Sequence, residues 1–165
     1  MGISPQDRAE LRDRVVQAFK DAPYPGDDNL IRNPLAVQMD DYAQIVAHCK
    51  GKHWQELDRQ AIVNNDVNLP FFSPEAFRFY LPAFLVVALE DPEGNEFDKI
   101  VFNLLPPPPN DSEDVEYFAK MVAGLSRTQR EVIRDFLELV AEEEADLPPD
   151  IANARQALDT YWGHS

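Results

Sequence analysis

The chain has 165 residues, 44% of them apolar, a length and composition that suit one globular domain and exclude a disordered chain. Its 30 acidic and 15 basic residues give a net charge of −15, which works against nucleic acid as a ligand. A single cysteine, Cys49, excludes an internal disulfide and makes a reducing cytoplasm the expected compartment.

The N-terminal residues carry no apolar stretch behind a basic start, so no signal peptide is expected, and the residues after Gly2 do not fit a myristoylation site. Ser4-Pro5 reads as an N-cap with proline in the first turn, and Leu11, Val15, Val16 and Phe19 recur at helical spacing. A first helix is expected from about Pro5 to Asp21. The stretch from Ala22 to Asn29, with two prolines and Gly26, ends it in a turn. A second helix is expected over Met39 to Cys49 and a third over His53 to Val63, with Gly51 between them.

Ser73-Pro74-Glu75 is another helix start: cap, proline and a carboxylate at the positive end of the dipole. The helix that follows is apolar on both faces, which predicts burial nearly all round and a central place in the fold. Its uncharged run, Phe79 to Leu89, is far shorter than the about 20 residues a membrane span needs. Pro82 lies inside it and removes the hydrogen bond to the Arg78 carbonyl, so either the helix bends there or a side chain or water satisfies that carbonyl. Arg78 is stranded in this apolar helix, and a buried arginine needs a partner; the expectation is Asp27 or Asp28 of the turn. After a turn at Asp91 to Asn95, residues Phe97 to Leu105 have an ambiguous period and fit a helix or a strand. The four prolines Pro106 to Pro109 form a stiff connector. Ser112 is expected to cap a helix to about Leu125. Ser126 and Gln129 form a capping box ahead of a helix carrying Val132, Ile133, Phe136, Leu137 and Val140. Leu147 to Asp150 should end one helix and start the last, which holds Ile151, Ala154, Leu158 and Tyr161. The fold expected is all-α: one domain, residues 1–165, a bundle of six to eight helices around the proline-kinked buried helix.

The run Phe72-Ser73-Pro74-Glu75-Ala76-Phe77-Arg78-Phe79-Tyr80-Leu81-Pro82-Ala83-Phe84 resembles the signature of a bacterial family of unknown function, whose core reads Thr/Ser-Pro-Glu-Ala-Phe-Arg-Tyr-Tyr-Leu-Pro-Ala. Phe19 to Asn29 is similar to that family's first motif, and Leu125 to Gln129 with Phe136-Leu137 to its last. The resemblance implies a small cytoplasmic bacterial protein and carries no established activity. Size and acidity also suggest a looser analogy to toxin-immunity proteins.

No cofactor is expected, because the six glycines form no nucleotide-binding loop. No metal is expected either: His48, Cys49 and His53 match no established zinc spacing and sit beside Lys50 and Lys52. Cys49 lacks the surroundings of a nucleophile, and no catalytic residues are assigned. The charge is uneven, net −3 up to Pro82 and net −12 from Ala83 onward. Glu131, Asp135, Glu138 and Glu142 share one helical stripe, which Glu143 and Glu144 extend. Two functions from different classes follow. The first is a non-enzymatic acidic binding module that meets a basic protein through this stripe, in its sharpest form an immunity-type inhibitor of a basic toxin. The second is a small-ligand protein or enzyme with a pocket at the Pro82 kink, drawing on Tyr24, Asp27, Asp28, Arg78 and Tyr80. A monomer or weak homo-oligomer is expected, without nucleic acid or membrane.

Overall fold

The computed structural model of the protein describes residues 4–33, 40–64, 66–90, 96–143, 148 and 152–164. Among them stand eight α-helices: α1 Pro5–Phe19, α2 Asp40–Cys49, α3 Arg59–Val63, α4 Pro74–Glu90, α5 Glu96–Leu104, α6 Ser112–Ala123, α7 Arg127–Glu143 and α8 Asn153–Thr160. Short 3₁₀ turns occupy Trp54–Glu56, Leu69–Phe71 and Trp162–His164. The all-α class and the central buried helix agree with the pattern read from the chain.

The N-terminal caps form as their residue types require. Ser4 Oγ accepts from the Asp7 amide at 3.0 Å. Ser126 Oγ accepts from the Gln129 amide at 3.1 Å while Gln129 Oε1 accepts from the Ser126 amide at 2.9 Å, the reciprocal box expected. Two boundaries move. His53 to Val63 is not one helix: His53 caps the 3₁₀ turn at Trp54–Glu56, and Asp58 then caps α3 afresh. Leu57 and Asp58 adopt extended backbone between them, since an Asp side chain satisfies the next amides best from that conformation. Asp111, not Ser112, caps α6, with its carboxylate accepting from the Asp114 amide at 3.2 Å. The ambiguous stretch after the Asp91–Asn95 turn is helical, as α5. That turn itself, Met39, and the turn from Leu147 to Asp150 with Ile151 fall outside the described residues, apart from Pro148.

Helix α4 runs unbroken through Pro82, and twelve of its residues are buried, from Ala76 to Leu89. It packs against α1, α5 and α6, with α3 and the Trp54 turn closing the remaining side. Helix α1 is shared between α4 and α7, and α7 in turn carries α8. Phe136, Leu137, Val132, Ile133 and Val140 all face inward, as their spacing requires. An antiparallel bridge between Ile31 and Phe72 fastens the segment after the first turn to the start of α4, with the Arg32 amide donating to the Phe71 carbonyl at 2.7 Å and the Ser73 amide to the Leu30 carbonyl at 3.1 Å. Surface ion pairs join the same helices: Glu90 accepts from Arg12 at 2.8 Å and from Arg59 at 2.7 Å.

A shared device closes the helix C-termini. The last carbonyls of a helix have no partner within it. In α1, the Ala18 carbonyl accepts from Gln129 and that of Phe19 from the Trp54 indole. In α2, Cys49 accepts from Tyr80; in α5, Leu104 accepts from the Trp162 indole. In α6, Arg78 donates to Lys120 and Met121, and Arg130 donates to Val122. Each donor comes from another element, so the helices are fastened end to side through their last carbonyls, of which those of Phe19, Cys49 and Val122 also accept a backbone amide from the turn that follows.

Candidate functional site

The residues singled out in the chain do not gather in one place. Tyr24, Asp27 and Tyr80 meet at the turn after α2. Gly51 there adopts φ +74°, a left-handed conformation that suits glycine. Its amide donates to Tyr24 Oη at 2.8 Å, and Tyr24 Oη donates to Asp27 Oδ1 at 2.6 Å. Tyr80 reaches the same turn from α4; its hydroxyl has both the Cys49 carbonyl, at 2.8 Å, and that of Lys52, at 2.7 Å, within donating distance. Phe79 fills the space between, edge-on to Tyr24 at 5.8 Å and to His53 at 5.3 Å. Burial raises the Tyr80 pKa well above the ordinary phenol value. The Tyr24 pKa is raised too, by burial and then by the hydrogen bond to Asp27. Cys49 is buried beneath this turn, and burial pushes its thiol up to about 12. His53 uses Nδ1 to accept from the Gln55 amide at 3.1 Å, as a cap. Asp28 is exposed beside Asp27.

Arg78 points elsewhere, and the expected pair with Asp27 or Asp28 does not form. Asp27 accepts from Tyr24, while Arg78 Nη1 donates to the Lys120 and Met121 carbonyls at 3.1 and 3.0 Å. Arg78 is half-buried rather than buried, and its partner is not a carboxylate but a helix C-terminus, which carries partial negative charge. Gly124 makes the approach possible, because a Cβ there would overlap the guanidinium. Glycine after Ala123 was the one local signal that α6 ends at this point. Pro82 is buried, and neither of the two grooves described below is lined by Tyr24, Arg78, Tyr80 or Pro82.

The acidic stripe divides. Asp135 pairs with Arg14 of α1 at 2.6 Å and lies 3.8 Å from Arg134; Glu131 pairs with Arg127 at 3.1 Å. These two carboxylates serve the fold's own surface. Glu138, Glu142 and Glu143 are exposed in the last turns of α7, and Glu144 lies outside the described residues.

The open concave surface is one that sequence reasoning missed. A groove of about 500 Å³ runs over Phe77, Tyr117, Phe118 and Met121, walled by Leu105 and Pro106 to Pro108. A second, of about 350 Å³, has Ile62, Leu69, Phe84 and Ile100 in its lining. Pro70, Phe102 and Asn103 line both. Phe102, 68% exposed on α5, therefore stands between them. At the far side Arg32 pairs with Asp114 and lies 4.3 Å above the Tyr117 ring. That ion pair holds the Asp114 carboxyl below its ordinary pKa. Tyr117 is held in place by its hydroxyl, which donates to the Phe72 carbonyl at 2.7 Å. Hydropathy alone could not mark this surface, because exposed and buried faces of α5 and α6 are told apart only by what packs on them.

Among the described residues no helix is long and apolar enough to cross a membrane. None of the curated proteins and none of the solved structures matched the chain. One family model did, over residues 7–165, described as a family of unknown function (DUF6714), and the chain belongs to that family.

Proposed function

We propose that this protein is a binding module for a basic protein partner, in its sharpest form an immunity-type inhibitor of a cationic toxin. The observation that supports the reading is the use made of the polar signature side chains. Ser73 Oγ donates to the Asn29 carbonyl and accepts from the Ala76 amide, Arg78 binds the end of α6, and Tyr80 binds the end of α2. The central motif thus acts as the fastening of the fold, and recognition falls to the outer surface. That surface belongs to a chain of net charge −15, with exposed carboxylates at Glu138 and Glu142. Opposite charge on a partner accelerates encounter, and a few desolvated apolar anchors supply the affinity.

The test is affinity capture of the tagged protein from a lysate of the cells that make it, at low and at high salt, followed by stopped-flow association with the captured partner. A basic protein retained at low salt, whose association slows steeply with ionic strength, is the expected result. A rate indifferent to salt argues against the charge-guided reading, and no retained protein argues against a binding module altogether.

A small ligand is the second reading, favoured by the 500 Å³ groove, a volume within the range of about 300–1,000 Å³ typical of ligand sites. It would sit over Phe77 and Tyr117 and not at Pro82. Thermal stabilisation in a metabolite screen, lost on replacing Phe102, would support it.

A further inference from the structure

We infer that the face around Phe102, between α5 and α6, docks a segment of a partner protein that carries an apolar anchor flanked by lysine or arginine. This deepens the binding reading above and rests on it, but it moves the contact away from α7.

Three observations meet on this face. First, Phe102 is exposed on α5, where burial was available to its neighbours Ile100, Val101 and Leu104. An exposed aromatic side chain between two apolar grooves forms a contiguous patch of the kind that marks interaction sites. Second, the grooves are walled by stiff elements. Pro106 to Pro108 restrict the backbone on one side, and Tyr117 is fixed by its hydroxyl on the other. A partner side chain entering there orders little of the receptor, which lowers the entropic cost of binding. Third, the rim is acidic. Asp114 lines the groove, Glu113 stands exposed beside it in the first turn of α6, and Glu75 stands in the first turn of α4, two residues before Phe77 of the groove. Arg32 is already paired with Asp114, so the charge left over on this rim is negative. Lys99 lines the second groove and marks the limit of the acidic part.

Charge therefore selects the occupant. An acidic or neutral apolar segment would fill the grooves but leave the rim carboxylates uncompensated, whereas a second copy of this chain would bring more negative charge to the same place. A basic segment satisfies both the floor and the rim. It needs an apolar side chain to enter beside Phe102 and cationic groups to reach Glu75 and Glu113.

The experiment is selection of a phage-displayed library of random peptides on the full chain, followed by binding of the enriched peptides to four proteins: wild type, Phe102→Asp, Glu113→Lys and Glu142→Lys. All three substitutions are at exposed positions, and circular dichroism and melting check that each variant is folded. The expected result is enrichment of sequences with Phe, Leu or Trp flanked by Lys or Arg. Phe102→Asp should weaken these about thirtyfold, the fold-change of a central aromatic anchor, and Glu113→Lys should slow their association by about three- to tenfold at low salt. Glu142→Lys should leave binding unchanged. Enriched peptides that depend on Glu142 and ignore Phe102 would overturn this docking face and keep the binding module. Enrichment of acidic peptides at Phe102 would overturn the partner's chemistry. No enrichment at all would overturn the inference together with the reading beneath it.

Discussion

The Arg78 guanidinium occupies the space in which any side chain at position 124 would stand, and Gly124 leaves that space open. The two residues form one structural unit. Arg78 comes from the middle of the central helix, Gly124 from the end of α6, and the contact closes the orphan carbonyls of Lys120 and Met121. Arg130 completes the cap at Val122 while also donating to Tyr161 at 3.0 Å.

Loss of this cap should be measurable by a double-mutant cycle in urea. Arg78→Met removes the donor and leaves carbonyls unsatisfied, at about 1–3 kcal/mol. Gly124→Ala should cost a similar amount by displacing the guanidinium. Combined, the two should cost far less than their sum, because the second change removes nothing that the first has left. Full additivity would show that the two residues act separately.

The two tyrosines at the Gly51 turn should differ. Tyr80 is buried and Tyr24 is at the surface, 36% exposed. Tyr80→Phe removes the buried hydroxyl that the Cys49 and Lys52 carbonyls share, although the Lys52 amide still donates to Cys49, and should lower stability by about 1–2 kcal/mol. Water can replace the Tyr24 hydroxyl, so Tyr24→Phe should cost under about 0.5 kcal/mol. Equal losses in denaturant melts would contradict this account of the turn.

Alkaline stability follows from Cys49. Its folded pKa is raised to about 12 from an ordinary 9.0, chiefly by burial. The unfolded chain therefore releases this proton first. The contribution is fully present below pH 9 and is lost as pH rises toward about 12. The tyrosines Tyr80 and Tyr117 act in the same direction, both raised by burial. Melting temperature should fall over that range, and Cys49→Ala should make the fall shallower. At neutral pH the native thiol should react with a disulfide reagent only as fast as the protein opens; rapid reaction in native buffer would exclude this environment.

On α7 the carboxylates should separate into two groups. Asp135→Asn removes a half-buried pair with Arg14 and should cost about 0.5–1 kcal/mol. Glu142→Gln should be neutral or slightly stabilising, since a negative charge in the last turn opposes the helix dipole. Thermal melts at low and high salt would distinguish them, with the Asp135 effect shrinking as salt is added.

Much of the helical pattern was readable along the chain. Ser4, Ser126 and Gln129 announced helix starts, and the spacing of Val132 to Val140 announced which side of α7 faces the core. The split between Trp54–Glu56 and α3 was missed because the stretch from His53 to Val63 was read as one helix, with no second cap sought at Asp58. The candidate site was less readable. Tyr24, Asp27 and Tyr80 do come together, but as a fastening of the Gly51 turn. Phe102 was read only as part of an apolar run, because nothing adjacent to it in sequence says that its face of α5 is left uncovered.

The division follows from range. Caps, turns and hydrophobic periods are set by forces acting over a few residues, so they can be read from neighbouring residue types alone. The closing of the helix C-termini depends on donors 31 residues away for Cys49, 58 for Leu104 and 111 for Ala18. Which side chain reaches which carbonyl, and which apolar face stays open to a partner, is decided only when the helices pack, because an orphan carbonyl accepts any donor that the packing brings to it.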